Sequence, residues 1–485
     1  MKGKMILFFL AAAMVLCACQ ADGEPQDINA DTSTLEQTEQ KETLSDGETQ
    51  TEPEEDERAP LPPAPPVCEL DFTEIESFPF PFQDELLVDE ERGLLLSTGQ
   101  ALYDYDTMWQ LLEENYPYLE AIKREMGIDW EEVKREYRQR LESHASDGYI
   151  SQEDFIHTIG VCLKKFQSVG HLFLIEAETR TRYIDGFSSD GRNFCQNLSK
   201  LMSNPKSDIF YMYEEQLPSQ NPDYYWGDGE IVNVDGWVDI SQGQNVYAGY
   251  VEGGIPYLRF GSFSLLDDGA QATLEEFFSG ISEEEHLIID VRGNGGGSDY
   301  TWRYGIVPFL AQKEYEYDQF WAAKSGSLNL RIEPKFDKSR ENFTRYTDDS
   351  WQEEFPYVSP DSLTGLDIFF KVSWPSWKTD TPDKFDGKIW VLVDESCYSA
   401  TDDFVSFCKE TGFATLVGTK TGGSGKGTDP YFMALPYSGM IVEYDTYFTF
   451  NIDGTINGIS GTVPDIVLEP GKYALETCLM AINGY

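Results

Sequence analysis

The 485-residue chain carries 86 acidic residues against 36 basic ones, which gives a formal net charge of -50. A charge of this sign repels nucleic-acid phosphates and anionic lipid headgroups, so the composition argues against a nucleic-acid-binding protein. With 40% hydrophobic residues, the chain can bury one large core or two smaller ones and still leave length for unfolded segments.

The first predicted element is a targeting segment over residues 1–18. Lysines near the start precede an apolar stretch, residues 5–16, that is too short for an ordinary membrane span and is typical of a secretory signal peptide. The stretch ends in Leu16-Cys17-Ala18-Cys19, which resembles the bacterial lipobox. The resemblance implies that Cys19 is a lipid anchor and that the protein is extracytoplasmic, held at the bacterial cell membrane. Simple cleavage and release is the alternative.

Residues 19–66 are predicted to form a disordered tether. They are rich in Glu, Asp, Thr, Gln, Ser and Pro, contain almost no aromatic or large aliphatic residue, and end in a run of prolines. Such a composition cannot bury enough apolar surface to fold, and the proline run is stiff. We therefore expect an acidic, Pro-rich spacer that holds the following domain away from the membrane.

A helical subdomain is predicted next, over residues 67–180. Between residues 103 and 166, large side chains such as Trp109, Leu112 and Tyr116 recur three and four positions apart. This is the spacing of one face of an α-helix.

The remaining residues, 181–485, are predicted to form a mixed α/β core. Short apolar runs predict strands at 255–260 and 287–291 in this core and one at 172–175 just before it. Residues 388–417 show the most regular pattern, strand then helix then strand, with Gly412 ending the helix, and this pattern is typical of a βαβ unit. Between about 312 and 386 the sequence is aromatic-rich but irregular. There we predict no elements, only an excursion from the core that could cover a site.

A polar turn between the strand and the helix of this unit places Ser399 at or just before the helix N-terminus. Unbonded backbone N–H groups and the positive end of the helix dipole suit a developing oxyanion there. Ser399 is therefore a candidate nucleophile, and the N–H of Ala400 is a candidate oxyanion donor. Taken alone, the pattern fits an ordinary serine N-cap at least as well, with Asp402 completing a capping box.

A second turn favours the interpretation of Ser399 as a nucleophile. An apolar strand runs directly into Asp290-Val291-Arg292-Gly293-Asn294-Gly295-Gly296-Gly297. With Ser399-Ala400-Thr401-Asp402 and the glycine-rich stretch 417–428, this turn resembles the signature of the tail-specific (C-terminal processing) and tricorn-core serine peptidases. The chain also resembles the tricorn-like and retinoid-binding branch of this family at three stretches: Glu114-Asn115-Tyr116-Pro117, Gly127-Ile128-Asp129-Trp130 and Val169-Gly170-His171.

The resemblance covers roughly residues 100–470, discontinuously, and implies a crotonase-like α/β core that hydrolyses peptide bonds through an acyl-enzyme. No metal or other cofactor is implied, and the partner is a polypeptide substrate. Ser399 would be the nucleophile. The oxyanion donors would be the N–H of Ala400 and one N–H from Gly295 or Gly296. No clear PDZ module is present, so specificity for substrate tails is not predicted.

Two residues compete for the role of general base, His171 and Lys426. A histidine with a pKa of about 6.5 is largely neutral at pH 7, whereas a lysine near 10.4 must first be perturbed by its surroundings. Lys426 also lies further from Ser399 than the family spacing places its lysine. The histidine branch orients its base with a glutamate, whose place is held here by Gly458, and the neighbouring Asn457 is a candidate substitute.

The expected function is a membrane-anchored serine peptidase, either an endopeptidase or a C-terminal processing peptidase. The alternative is a catalytically silent lipoprotein on the same fold that binds a peptide or an apolar ligand. The cysteines after Cys19 show no metal-binding spacing, and those inside apolar segments are expected to be buried thiols.

Overall fold

The computed structural model describes residues 86–89, 92–189, 193–214, 245–330, 342–374, 385–427 and 430–484. The predicted signal peptide, Cys19 and the acidic tether lie outside these residues. No helix within the described stretches is both long and apolar enough to cross a membrane. All described residues fall within one compact unit.

The first part of the described chain, up to Glu214, is mostly helical. Its strands are β1 (Leu87–Asp89), β2 (Gly93–Ser97), β3 (Tyr149–Ser151) and β4 (Phe173–Leu174). Its helices are α1 (Thr98–Asn115), α2 (Leu119–Ala121), α3 (Trp130–Ser143), α4 (Gln152–Lys164), α5 (Ala177–Ser189), α6 (Asn193–Met202) and α7 (Pro205–Glu214). A π-helical turn, Ile122–Met126, follows α2, and a 3-10 turn, Val169–His171, precedes β4.

Helix α1 illustrates how the sequence specifies this part. Ser97 Oγ accepts a hydrogen bond from the N–H of Gln100 at 3.2 Å, and Gln100 Oε1 accepts one from the N–H of Ser97 at 2.9 Å. This capping box starts the helix. Trp109 and Leu112 on its apolar face are fully buried, as is Tyr116 just beyond its end. The predicted helical face is thus confirmed.

The second part of the chain alternates strands with helices. Its strands are β5 (Val246–Val251), β6 (Ile255–Phe260), β7 (His286–Asp290), β8 (Tyr317–Ala323), β9 (Phe343–Tyr346), β10 (Ile368–Trp374), β11 (Lys388–Val393), β12 (Thr415–Gly418), β13 (Tyr431–Ala434), β14 (Ile441–Tyr444), β15 (Tyr447–Thr449) and β16 (Ile466–Val467). Its helices are α8 (Asp268–Gly280), α9 (Asp299–Gly305), α10 (Val307–Leu310), α11 (Trp351–Glu354), α12 (Ala400–Thr411), α13 (Asn457–Ser460) and α14 (Ala474–Ile482).

A six-stranded sheet in the order β16-β12-β11-β7-β6-β5 forms the centre of this part. Neighbouring strands are parallel except β5, which runs antiparallel to β6. The carboxyl ends of β7 and β11 are adjacent, because Leu392 pairs with Asp290. The glycine-rich turn that follows β7 and the turn that carries Ser399 therefore leave the same edge of the sheet.

Helices cover both faces of the sheet. Leu287 and Ile289 of β7 pack with α8, α9 and α12, whereas Ile288 between them packs with Cys478 of α14 on the other face. Because both faces are buried, the strands are continuous apolar runs, the pattern expected for parallel strands between helix layers. Gly412 ends α12 with a φ of 68°, the left-handed C-cap that the sequence predicted.

A three-stranded sheet, β1-β2-β3, lies within the first part of the chain, and two further sheets complete the described fold. One, in the order β15-β8-β10-β9, draws three of its strands from the stretch between 312 and 386 where no elements were predicted. Strand β8 is buried along most of its length, so its residues lack the alternation that identifies a strand. The other sheet, β13-β14-β4, joins the helical part to the C-terminal part through the pair Glu443–Phe173.

The α/β class with a mixed sheet and preceding helices is confirmed, whereas the crotonase-like subtype remains a prediction. Cys162, Cys397, Cys408 and Cys478 are buried free thiols, as expected for cysteines in apolar segments.

Candidate active site

Ser399 lies in a strained backbone conformation between β11 and α12. Its φ is 54° and its ψ is -132°, a combination that costs a non-glycine residue on the order of 1–3 kcal/mol. The N–H of Ser399 donates to the carbonyl of Gly423 at 3.0 Å, and the carbonyl of Ser399 accepts from the N–H of Asp403 at 3.1 Å. Hydrogen bonds on both sides hold the conformation, as is typical of residues at functional sites.

The Ser399 side chain makes no capping hydrogen bond to α12, so the interpretation as an ordinary N-cap is wrong. Asp402 does not complete a capping box either. Its buried carboxylate accepts hydrogen bonds from Thr421 Oγ1, from Thr462 Oγ1 at 2.8 Å and from Asn457 Nδ2 at 2.7 Å. Within the described stretches, the Ser399 hydroxyl has no hydrogen-bond partner and remains available to a substrate.

Asn294 ties the glycine-rich turn to the Ser399 turn. Its Oδ1 accepts hydrogen bonds from the N–H of Gly296 at 3.0 Å and from Thr401 Oγ1 at 2.7 Å. Asn294 is fully buried, so this bridge is shielded from water. The two turns that were singled out separately in the sequence thus form one rigid unit.

Gly296 makes the closest approach between the two turns. Its φ is 115°, and a Cβ placed on it would lie 2.8 Å from Ser399 Cβ and 3.3 Å from the nitrogen of Ala400. Side chains do not tolerate either the conformation or the contact. Glycine at this position is therefore a requirement of the geometry around Ser399.

Two backbone amides of these turns, those of Ala400 and Gly295, are candidates to bind an anion. Among the described residues, neither the N–H of Ala400 nor that of Gly295 has a hydrogen-bond acceptor. The N–H of Gly296 is already bonded to Asn294 Oδ1. The sequence analysis named Gly295 or Gly296 as the second oxyanion donor, and Gly295 is thus the better candidate. Gly296 instead allows the two turns to approach each other closely.

His171 lies at the end of the Val169–His171 turn and pairs with an acid that the sequence did not indicate. Its Nδ1 is 2.9 Å from Asp445 Oδ1, and the two residues are 7% and 3% exposed. Since a carboxylate accepts, Nδ1 carries the proton, and Nε2 is left as the basic nitrogen. The N–H of Asp445 donates to the carbonyl of Gly170 at 2.7 Å, which fixes the pair from the backbone as well.

The electrostatic environment favours the protonated form of His171. Burial by itself lowers the pKa of the imidazole, but the charge and hydrogen bond of Asp445 and the charge of Glu443 outweigh it, so the pKa lies above 6.5. Glu443 is fully buried and receives a hydrogen bond from the Tyr183 hydroxyl at 3.2 Å. Burial raises the pKa of Glu443 to about 8, against the opposing effect of His171.

Gly458 occupies the position at which the family has a glutamate, and a side chain there would collide with its surroundings. A Cβ at Gly458 would lie 2.8 Å from the ring of Tyr118, which also packs against Gly170. The neighbouring Asn457 does not replace the glutamate. Its Nδ2 donates to Asp402 Oδ2 and Asn451 Oδ1, and its Oδ1 accepts from the N–H of Gly425. The structure therefore gives no support to Asn457 as the hydrogen-bonding substitute for the family glutamate.

Lys426 does not point its ammonium group at Ser399. Its Nζ forms an ion pair with Glu410 and donates to the carbonyl of Phe450 at 2.7 Å. Glu410 lies near the C-terminal end of α12, about 15 Å along the helix axis from Ala400 at 1.5 Å per residue. Lys426 is 2% exposed and fully engaged there, so the structure gives the lysine alternative no support as the base.

Two models of known protein families match parts of the chain. Residues 254–468 match the family model described as Peptidase family S41, and residues 100–148 match the Tricorn protease C1 domain. The first match contains the Ser399 turn and the glycine-rich turn, and the second covers the helical region around Tyr116. No curated protein sequence matches the chain at a significant level.

Several solved structures are similar to the chain. A protein of Parabacteroides merdae ATCC 43184 designated a peptidase is 19% identical, with a TM-score of 0.47, over 80% of this chain and 96% of that one. Mature CPAF complexed with lactacystin is 14% identical, with a TM-score of 0.49, over 76% and 94%. A lipoprotein from Streptococcus agalactiae is 11% identical, with a TM-score of 0.38, over 79% and 96%.

Proposed function

The chain belongs to peptidase family S41, and from that premise we propose that it hydrolyses peptide bonds through an acyl-enzyme formed on Ser399. The observation that carries the proposal is the position of Ser399. A strained serine with an unbonded hydroxyl lies at a helix N-terminus, next to Ala400 and in close contact with the turn that contains Gly295, and the N–H groups of these two residues have no acceptor among the described residues. This arrangement provides both a nucleophile and a site for the negative charge that its attack creates.

His171 is proposed as the general base and Asp445 as the residue that orients it. With the proton of His171 held on Nδ1 by Asp445, Nε2 accepts the proton of Ser399 as Oγ attacks the carbonyl carbon of the substrate. The carbonyl oxygen becomes an oxyanion and is stabilised by the N–H groups of Ala400 and Gly295. Nε2 then returns the proton to the leaving amine, and water releases the acyl group by the same steps in reverse.

We further propose that the enzyme acts outside the cytoplasm on polypeptides, tethered by lipid on Cys19. The support is the charged and apolar start of the chain, the lipobox-like ending and the acidic spacer in the sequence. The position of the cut, within a polypeptide or close to its carboxyl end, is read from the cleavage products. Internal fragments indicate an endopeptidase, and stepwise or single cuts near the carboxyl end indicate a processing peptidase.

The test uses the full chain purified in detergent. We expect hydrolysis of casein and covalent labelling by a fluorophosphonate in the parent, and neither in Ser399→Ala. Ser396→Ala is the matched control, because Ser396 is exposed in the same turn and, among the described residues, only its backbone N–H is bonded, to Asp394. Cleavage by Ser399→Ala would exclude Ser399 as the nucleophile. A folded parent that neither cleaves peptides nor reacts with the probe would instead favour a catalytically silent binding protein.

A further inference from the structure

The side chain of Tyr398, the residue before Ser399, contacts the segment that carries His171. Its hydroxyl accepts a hydrogen bond from the N–H of His171 at 3.1 Å and donates one to the carbonyl of Ser168 at 2.6 Å. The rings of Tyr398 and His171 lie 4.8 Å apart between centroids. Burial, together with the charge of Asp445, raises the pKa of the phenol above its usual range, so the hydroxyl stays neutral and can donate and accept at once.

The segment that Tyr398 holds is conformationally strained. Gln167, Ser168, Gly170 and His171 have φ values of 53°, 59°, 57° and 51°. Residues other than glycine seldom adopt this left-handed region, and a run of them persists only where the surrounding structure fixes it. The imidazole of His171 therefore depends for its position on whatever binds this backbone.

Within the part of the chain that the structure describes, three side chains bind the backbone of the segment, and each comes from a different part of the protein. Tyr116 donates to the carbonyl of Val169 at 2.5 Å, and Ser424 Oγ accepts from the N–H of Gly170 at 3.0 Å. Tyr398 provides the third contact. Among the three, Tyr398 alone belongs to the turn that contains the nucleophile.

The backbone of Tyr398 is itself fixed within that turn. Its N–H donates to the carbonyl of Asn294 at 3.4 Å, and its carbonyl accepts from the N–H of Thr401 at 3.1 Å. The tyrosine ring and the Ser399 hydroxyl thus project from adjacent residues of one rigid element. A displacement of the His171 segment relative to Ser399 would break the contacts of the phenol.

We propose that Tyr398 is a positioning residue that sets the place of the His171 imidazole relative to Ser399 through the hydrogen bonds of its hydroxyl to the N–H of His171 and the carbonyl of Ser168. Tyr398 does not exchange protons with the substrate in this scheme. The inference rests on the proposed function of Ser399 and His171 and adds a residue that links them, since the structure shows no direct hydrogen bond between these two among its described residues.

Tyr398→Phe in the full chain tests the proposal, because it keeps the ring and removes the hydroxyl with its hydrogen bonds to His171, Ser168 and the Ser424 side chain. A misplacement of about 1 Å at a reacting group costs roughly 100-fold in rate, so we expect kcat to fall 10- to 100-fold with a much smaller change in KM. Tyr211→Phe is the matched control, since the buried Tyr211 hydroxyl also donates to a carbonyl, of Ile175, and accepts an N–H, of Ile441, each at 3.0 Å. This control should lose comparable stability and keep kcat.

A second measurement does not depend on catalysis. The chain has 4 histidines, so selective histidine labelling allows the titration of His171 to be followed by NMR, with His171→Ala giving the assignment. In Tyr398→Phe the midpoint should move down towards 6.5, because the imidazole is no longer held in line with Asp445. In Tyr211→Phe it should stay in place.

If Tyr398→Phe folds poorly, Tyr116→Phe is a second variant, because Tyr116 binds the same segment from a different side. Tyr116→Phe should change kcat and the titration of His171 in the same direction as Tyr398→Phe. An unchanged His171 titration together with an unchanged kcat in folded Tyr398→Phe would overturn the proposal. If the parent itself cleaves nothing, the proposed function fails, but the titration still decides whether Tyr398 positions His171.

Discussion

His171 Nδ1 and Asp445 Oδ1 lie 2.9 Å apart although 274 positions separate the two residues in the chain. The contact exists because β4, just after His171, pairs with β14, which ends just before Asp445. The helical part of the protein therefore supplies the proposed base, and the C-terminal part supplies both the serine and the acid. Joining these parts is what assembles the site.

Asp445→Asn should reduce kcat strongly while the protein stays folded. An asparagine can hold the imidazole in place, but it neither stabilises the imidazolium nor enforces the proton on Nδ1, a change that costs on the order of 10²- to 10⁴-fold in comparable sites. The measurement is kcat on a peptide substrate, with thermal unfolding as the check on folding. Asp154→Asn is the control, since Asp154 forms a similar pair with His144 at 3.2 Å on the surface. A loss below threefold in Asp445→Asn would show that Asp445 does not orient the base.

The pH dependence of kcat/KM should report the titration of His171. The proposed base must be neutral, so the rate rises with pH, and the midpoint should lie above 6.5 because the charge and hydrogen bond of Asp445 favour the imidazolium. In Asp445→Asn the midpoint should move to lower pH, since the main stabiliser of the imidazolium is gone. A parent midpoint below 6.5, or one that does not respond to this variant, would contradict the role of His171.

Glu443 should make the protein less stable as pH rises. Its pKa is about 8 in the folded protein against an ordinary value of 4.5, so between these values the folded state binds more protons than the unfolded state. The resulting stabilisation is fully present below pH 4.5 and is lost as pH rises through about 8. Glu443→Gln keeps an acceptor for Tyr183 and should flatten the dependence of Tm on pH across this window. Glu469→Gln, at an exposed glutamate, should leave the slope unchanged.

Much of the site could be predicted from local sequence. The turns around Asn294 and Ser399 follow apolar strands, and parallel strands present their carboxyl ends at one edge, so their meeting follows from the pattern. The left-handed C-cap at Gly412 and the helical face around Trp109 are equally local. Short-range spacing carries this information because the structures concerned are formed by neighbours in the chain.

The partners of the two candidate bases could not be predicted in this way. Asp445 lies in a turn between two short strands, where an aspartate is an ordinary turn residue. Lys426 lies in a glycine-rich stretch that looks solvent-exposed, yet its side chain is buried against Glu410. Both contacts depend on pairing between distant segments, which leaves no periodic signal in the sequence.

Lys426→Met should destabilise the protein without removing its catalytic machinery. Deleting one partner of a buried ion pair leaves Glu410 unpaired and costs about 3–5 kcal/mol. The double variant Lys426→Met/Glu410→Gln should recover much of the lost stability. We expect kcat per folded molecule to stay within about threefold of the parent in both variants, measured below their unfolding transitions. A folded double variant as inactive as Ser399→Ala would restore lysine as the base.

Gly296→Ala should abolish activity, whereas Gly295→Ala should not. An alanine Cβ at Gly296 would lie 2.8 Å from Ser399 Cβ and 2.9 Å from the carbonyl oxygen of Tyr398, in a backbone with a φ of 115°. Either the serine or the turn must move, and a loss of about 100-fold or more in kcat follows from the misplaced nucleophile. A Cβ at Gly295 meets nothing within 4 Å, and its N–H is retained. The rate of fluorophosphonate labelling, measured together with kcat, shows whether the effect lies at Ser399. Equal activity of Gly296→Ala and Gly295→Ala would show that the close approach at Gly296 does not set the geometry of Ser399.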